Sequence, residues 1–154
     1  MTRTADLEPY SYRRDAAIPG FDDARPILIF DGKCALCSGF ARFILRHDRE
    51  ERLRLLPAQS SLGEALYRHF GLKAGDYNTN ILLVGGRALA KSDGSIRVLE
   101  LLGPPWSFAS VVRLAPRPLR DALYDLIARN RLRWFGARDT CYAPDEANAH
   151  RFVQ

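Results

Sequence analysis

Two continuous apolar runs, Ile27–Phe30 and Ile81–Val84, most constrain what this chain can fold into. Short apolar runs without polar alternation are typical of strands that are buried on both faces, as in sheets covered by helices. Gly85-Gly86 directly follows the second run and is a hairpin-turn signal, so Arg87–Lys91 is predicted to return as an antiparallel edge strand. The sheet is therefore expected to contain at least one antiparallel pair.

Helical patterns occupy the chain between and after these strands. Leu36, Phe40, Phe43 and Ile44 share one helical face, and a second amphipathic helix is predicted from Ser61 to Phe70. A short strand at Leu53–Leu56 separates them. Further helices are predicted from Ser92 or Asp93 to Leu102, from Ser107 to Leu114, and from Arg117 to about Trp134, the last with an apolar face of Leu119, Leu123, Leu126 and Ile127. The order βαβαββα with added C-terminal helices predicts an α/β fold with a mixed sheet like that of thioredoxin or glutaredoxin.

The length of 154 residues suits one domain. Residues 1–25 carry turn-forming and acidic residues without an apolar period, which predicts a flexible or loosely docked lead-in. The domain is expected to span residues 26–142, followed by a tail at residues 143–154.

Charge and hydropathy exclude several classes of protein. The net charge of +5 is spread along the chain and interleaved with acids, which does not predict a nucleic-acid-binding surface. No apolar run reaches the roughly 20 residues of a membrane helix, and the N-terminus lacks the apolar core of a signal peptide. A cytoplasmic location is expected, where thiols stay reduced and a close cysteine pair favours catalysis or metal binding over a structural disulfide.

The pair Cys34–Cys37 stands directly after the first predicted strand, at the start of the first predicted helix. Residues three apart on a helix have Cβ atoms about 5–6 Å apart, so such a pair opens and closes a disulfide with little backbone movement. Unpaired backbone N–H groups and the helix dipole favour a thiolate at the first cysteine. The placement predicts thiol–disulfide exchange.

We assign expected roles to the residues of this motif. Cys34 is the expected nucleophile because it lies nearer the helix end and solvent, and Cys37 is expected to resolve the mixed disulfide. Asp31 is expected either to hold the loop by accepting backbone N–H bonds or to relay a proton from Cys37; a turn without a chemical role is its alternative. Gly32 and Lys33 are supporting residues, and Lys33 adds a positive charge.

Other interpretations remain open from the residues alone. The pair could be half of a zinc site or two inert thiols, although zinc needs about four ligands and no second close pair is present. Cys141 is a possible third redox thiol or a buried core cysteine. The fold could also serve as a non-catalytic redox-sensing or zinc-stabilised interaction module.

The C-terminal half adds aromatic and basic residues with two interpretations each. Four aromatic residues are expected to pack in the core or, alternatively, to form an apolar docking patch beside the redox pair: Trp106, Phe108, Trp134 and Phe135. The alternating arginines Arg129, Arg131 and Arg133 are expected to complement a helix dipole or to bind an anion such as a glutathione carboxylate. No phosphate loop or dinucleotide motif is visible, so no cofactor is expected and electrons should come from a thiol-based donor.

The segment from Asp31 to Cys37 resembles the Asp-Gly-x-Cys-x-x-Cys signature of the DCC family of thiol–disulfide oxidoreductases. Similar segments follow in order: Pro57–Ser60, Lys91–Gly94, and an Arg…Gly…Cys pattern through Arg131, Gly136 and Cys141. Gly94 replaces the alanine that is usual in the family, a departure that we expect to be minor. The resemblance implies a thioredoxin-like fold and dithiol chemistry on a protein or small-molecule substrate, and does not identify that substrate.

One departure from thioredoxins concerns substrate docking. Those proteins carry a cis-proline directly before the strand that faces the redox pair. Here Tyr77-Asn78-Thr79-Asn80 precedes Ile81, without a proline. A cis bond without proline costs about 3–4 kcal/mol, so a trans bond is expected and substrate docking should differ.

Overall fold

A four-stranded sheet with helices on both faces forms the body of the protein in a computed structural model. The structure describes residues 7–72, 77, 79–137, 142 and 146–153. Its strands are β1 (Ile27–Phe30), β2 (Arg54–Pro57), β3 (Ile81–Val84) and β4 (Arg87–Ala90). Its α-helices are α1 (Ala35–His47), α2 (Ser61–His69), α3 (Lys91–Leu101) and α4 (Arg117–Phe135), and 3-10 helices cover Ser11–Arg14, Trp106–Leu114 and Glu146–Arg151.

The sheet has the strand order β2-β1-β3-β4 and is mixed, as predicted. β1 and β2 are parallel, with Leu28 opposite Leu55, because α1 carries the chain back between them. β3 runs antiparallel to both β1 and β4, and Gly85-Gly86 forms the turn of the β3–β4 hairpin. The confirmed α/β architecture places the start of α1 at the end of the central strand β1.

Alternate residues of the central strands point to two apolar cores. Ile27 and Ile29 face the core that contains Leu66 of α2. Leu28 and Phe30 face the core that contains Ile44 of α1 and, further along the chain, Val98 of α3. Both faces of β1 are therefore buried, which explains its unbroken apolar sequence.

The segments before β1 and near the C-terminus pack on this body where they are described. Tyr12 is buried and stacks on Phe21, and the backbone N–H of Tyr10 donates to the carbonyl of Gly86 at 2.8 Å. Near the other end, Phe152 forms a parallel bridge with Leu55 of β2. The boundaries at residues 25 and 142 stay predictions.

Helix α4 packs against α1 and α3, but with a different face from the one expected. Its buried residues are Ala128 and Arg131, while the predicted apolar face points to solvent, with Leu119 at 63% and Leu123 at 59% exposed. The expectation of core packing is also wrong for Phe108, Trp134 and Phe135, which are all exposed. Apolar periodicity identifies an apolar face on a helix, but it does not show whether the rest of the domain buries that face.

The aromatic ring of Trp106 is the exception in this set, because it packs edge-on against Phe43 and near His47. The 3-10 helix Trp106–Leu114 lies against α3. Among the described residues, no helix is long and apolar enough to cross a membrane.

Candidate active site

Cys34 occupies the position immediately before the first turn of α1. Its backbone is extended, with φ −85° and ψ 126°, and its Sγ accepts a hydrogen bond from the backbone N–H of Cys37 at 3.4 Å. This is the position at which serine or aspartate usually satisfies an unpaired N–H of the first helical turn. A thiolate at Cys34 would therefore face both a donor and the positive end of the helix dipole.

Both cysteines of the pair are free thiols and both are buried. Cys34 is 0% exposed and Cys37 is 7% exposed, so the expectation that Cys34 lies nearer to solvent is wrong. The cause is the chain that leaves α4. Ala137 forms an antiparallel bridge with Cys34, and the N–H of Ala35 donates to the carbonyl of Gly136 at 3.2 Å.

Gly136 makes this return of the chain possible. Its φ of 89° and ψ of 164° fall in a region that is essentially restricted to glycine. The residue ends α4 and turns the backbone across the beginning of α1. The cover over Cys34 thus depends on backbone geometry that another residue type would adopt only with strain.

Asp31 is buried and organises the loop that precedes Cys34. One carboxylate oxygen accepts from the backbone N–H of Lys33 at 2.9 Å and from Nε2 of Gln59 at 2.5 Å. Oε1 of Gln59 in turn accepts from the N–H of Gly32 at 3.0 Å. These bonds are those expected of a residue that holds the loop, and Lys33 contributes its backbone while its side chain is exposed.

The second carboxylate oxygen of Asp31 meets Arg131 from α4. The guanidinium Nη2 lies 2.8 Å from Oδ2, and both side chains are 6% exposed. Arg131 also donates from Nη1 to the carbonyl of Ala128 at 2.9 Å. The sequence interpretation, a dipole partner or anion binder, missed this role, because the ion pair joins residues one hundred positions apart.

The two thiols titrate in opposite directions. The hydrogen bond from the Cys37 thiol, its backbone N–H and the charge of Arg131 lower the pKa of Cys34 to about 6, against the opposing effect of burial. The same hydrogen bond to Cys34, together with burial, raises the pKa of Cys37 well above its ordinary value. One proton is therefore held on Cys37 while Cys34 carries the negative charge.

Two tyrosines line the start of β3, the strand beside β1. The Tyr67 hydroxyl donates to the carbonyl of Thr79, and the Tyr124 hydroxyl accepts from the N–H of Asn80 at 2.9 Å. Burial raises the pKa of Tyr67 strongly and that of Tyr124 to about 12, so both stay neutral phenols. The Asn80–Ile81 bond is trans, as expected, since Pro104–Pro105 is the single cis bond in the described chain.

The remaining sequence candidates fall outside this cluster or outside the described chain. Cys141 is not among the described residues. Within the part of the chain that is described, no group of three or more histidine, cysteine or acidic side chains is arranged to hold a metal ion. Sequence reasoning gave Gln59 no role in the site and gave Arg131 a different one, although both residues lie in segments that resemble the DCC family.

A mixed sheet with a Cys-x-x-Cys pair at the start of its first helix defines the class of thioredoxin-like dithiol proteins. Comparison with known families agrees, because residues 28–137 match the DCC1-like thiol-disulfide oxidoreductase family. The chain belongs to that family, and this supports a thiol–disulfide redox role.

Two relatives illustrate how far the similarity extends. The uncharacterized protein YuxK of Bacillus subtilis is 32% identical over 127 residues, covering 82% of this chain and 93% of the relative. A chloroplastic DCC family protein of Arabidopsis thaliana is 34% identical over 121 residues, covering 78% of this chain and 70% of the relative. No solved structure gives a significant match.

Proposed function

We propose that this protein is a thiol–disulfide oxidoreductase that reduces disulfide bonds of a protein or small-molecule substrate through Cys34 and Cys37. The observation that carries the proposal is the polarised pair at the start of α1. Cys34 accepts hydrogen bonds as a thiolate would, and Cys37 keeps the proton.

In the proposed reaction, the Cys34 thiolate attacks one sulfur of the substrate disulfide. A mixed disulfide forms and the first substrate thiolate leaves. The Cys37 proton then passes to the released substrate thiolate, directly or through water, and the Cys37 sulfur attacks Sγ of Cys34. This closes the Cys34–Cys37 disulfide and releases the second substrate thiolate. The substrate gains two electrons, the protein loses two, and a thiol-based donor must reduce the pair again. No bound cofactor takes part in the proposed cycle.

Asp31 and Arg131 position the reacting atoms in this proposal. Asp31 fixes the loop through the N–H of Lys33 and through Gln59, and Arg131 neutralises the buried carboxylate. Without that neutralisation, the carboxylate would oppose a thiolate nearby, because like charges disfavour each other's ionised forms. We place the protein in a reducing compartment such as the cytoplasm, where a thiol donor would keep the pair reduced.

The test is reduction of a small disulfide, hydroxyethyl disulfide, with reduced glutathione as electron donor. We expect turnover by the wild type and by Cys141→Ser, and its loss in Cys34→Ser. Cys37→Ser should trap the mixed disulfide on Cys34, which mass spectrometry of the intact protein detects. Full activity of Cys34→Ser, or a mixed disulfide found on Cys141 alone, would contradict the assignment.

The complete burial of Cys34 favours a second candidate, a redox-sensing module that forms the Cys34–Cys37 disulfide without turnover. The same experiment separates the two functions. A sensor would show a reversible Cys34–Cys37 couple in a glutathione redox-buffer series but no catalysed reduction of hydroxyethyl disulfide.

A further inference from the structure

Most of the exposed large apolar side chains of the described chain lie on the helical segments that follow α3. Among the described residues, eleven of the twelve exposed large apolar side chains fall between Phe108 and Phe135. The 3-10 helix Trp106–Leu114 buries none of its residues, and its Phe108 is 74% and Leu114 86% exposed. Monomeric proteins rarely expose large contiguous apolar patches, and such patches mark interaction sites.

Helix α4 carries the ordered part of this surface. Five exposed apolar residues fall on one side of the helix at a period of 3.6 residues: Leu119, Leu123, Leu126, Ile127 and Trp134. We name these five residues the outer stripe. It runs about 22 Å along the helix axis at 1.5 Å per residue. Ala128 and Arg131 are the buried residues of α4, and Arg131 lies one turn from Ile127 at the edge of the stripe.

The charges of α4 are distributed unequally around the outer stripe. Asp121 bonds to Ser92 at 2.5 Å and Asp125 pairs with Lys91 at 3.0 Å, so both acids of the helix are directed at α3. Arg129 and Arg133 are exposed and form no ion pair with any described residue. The face that points away from the domain is therefore apolar and cationic.

This combination points to one occupant. A helix with an apolar face, flanking arginines and an exposed tryptophan fits the interface of a bilayer with anionic lipids. A second copy of the chain fits less well, because a parallel pairing of two α4 helices would oppose Arg129 and Arg133 to themselves.

We propose that the outer stripe of α4 docks the protein on the surface of an anionic membrane, with the helix lying in the interface rather than crossing it. The proposal does not rest on the thiol chemistry, because the stripe residues are exposed whereas Cys34 and Cys37 are buried. Arg131 links them physically, since the helix that would meet the lipid also carries the guanidinium beside Asp31.

Trp134 provides the reporter for the test. The chain has two tryptophans, and Trp106→Phe leaves Trp134 alone. We expect its emission to shift to shorter wavelength with vesicles of phosphatidylcholine and phosphatidylglycerol, and much less with phosphatidylcholine vesicles. The protein should also co-sediment with the anionic vesicles. No shift and no co-sedimentation with anionic vesicles would overturn the proposal and favour a protein partner.

Matched variants separate the outer stripe from general charge. Leu123→Gln/Leu126→Gln and Arg129→Gln/Arg133→Gln should each weaken vesicle binding about tenfold or more. Arg14→Gln/Arg68→Gln removes the same charge from exposed pairs on other segments and should weaken it far less. Equal losses in both arginine pairs would overturn the proposal.

Two further measurements complete the test. Cys34→Ser should bind vesicles as the wild type does, so failure of the docking proposal and failure of the proposed function give different results. If the protein forms a dimer in solution and Leu123→Gln/Leu126→Gln dissociates it, the membrane proposal is overturned. The outer stripe would then be the interface with a second copy of the chain.

Discussion

At the scale of single residues, a buried ion pair lies beside the redox thiols and contributes to the low pKa of Cys34. Asp31 and Arg131 are each 6% exposed, and the Asp31 loop continues directly into Cys34. Burying two charges is costly, so such a pair is weak evidence of stabilisation. Beside the thiols, the guanidinium of Arg131 has two effects: it neutralises the Asp31 carboxylate and it lowers the pKa of Cys34.

Removal of the Arg131 charge should therefore change reactivity as well as stability. Arg131→Met is expected to raise the pKa of Cys34, because the Arg131 charge lowers that pKa alongside the larger effect of the hydrogen bonds from Cys37. It should also lower the free energy of unfolding by about 3–5 kcal/mol, since Asp31 loses its partner. The pH profile of iodoacetamide alkylation measures the first effect, and urea unfolding measures the second.

Two control variants distinguish charge from packing. Arg131→Lys keeps the charge and should keep most of the low pKa. Asp31→Asn/Arg131→Met removes both charges and should recover stability. If Cys34 in Arg131→Met titrates as in the wild type, Arg131 has only a structural role.

The opposite pKa shifts of the two thiols predict how stability depends on pH. Cys34 titrates near pH 6 in the folded protein and near its ordinary value of about 8.5 when unfolded. Between these values the unfolded state binds more protons, so this group stabilises the reduced fold increasingly as pH rises. Above that range, Cys37 has the reverse effect, because its raised pKa keeps the proton in the folded state.

The measurement compares reduced wild type with Cys34→Ser by urea unfolding at several pH values. The difference in unfolding free energy should increase in favour of the wild type from pH 6 to about 8.5. A difference that stays constant across this range would show that Cys34 is not a thiolate in the folded protein.

Local sequence predicted part of the site and not the rest. Asp31, Cys34 and Cys37 lie within seven residues, so strand and helix signals sufficed to bring them together. Arg131 reaches the site through the packing of α4, and Gly136 through the return of the chain after that helix. Such a contact depends on how helices pack, and helix periodicity does not contain that information.

At the scale of elements, the helices meet the sheet at close distance. The order of strands and helices was predictable from apolar runs and turn residues, with boundaries shifted by about one residue at β2 and α3.

The close packing of α3 on β4 at Gly94 was not predictable from the sequence pattern. A Cβ atom there would stand 2.6 Å from the carbonyl oxygen of Leu89 in β4, so the space for the usual alanine is closed.

Gly94→Ala should therefore lower the free energy of unfolding, by about 1–3 kcal/mol, because backbone would have to move. Gly39→Ala on α1 is the matched control. No atom lies within 4 Å of a Cβ at Gly39, and alanine in an exposed helix is favoured by about 0.5–1 kcal/mol. Thermal unfolding of both variants checks the prediction, which fails if Gly94→Ala is as stable as Gly39→Ala.

At the scale of the whole molecule, segments distant in sequence tie the body together. Arg151 pairs with Asp48 at 2.6 Å and donates to the carbonyl of Leu53 at 2.8 Å, and both charged side chains are almost fully buried. The Asp48 carboxylate also accepts from the N–H of Leu53 at 2.8 Å. Residues near the C-terminus thus complete the link between α1 and β2.

Arg151→Met should lower the free energy of unfolding by about 3–5 kcal/mol, because the Asp48 carboxylate stays buried without its cation. Arg14→Gln breaks an exposed ion pair with Glu8 and should change stability by less than about 1 kcal/mol. The midpoints of urea denaturation provide the comparison. Equal midpoints for the two variants would show that the Arg151 contact is dispensable.

The backbone of Gly136 and Ala137 across Cys34 has a kinetic consequence. A thiol without exposed surface reacts only from conformations in which this cover has opened, so the observed rate constant is the intrinsic one multiplied by an opening equilibrium constant. The amide proton of Ala35, bonded to Gly136, should exchange with deuterium through the same opening. Reagent selectivity at Cys34 would then be governed by a local conformational equilibrium as much as by the acidity of the thiol.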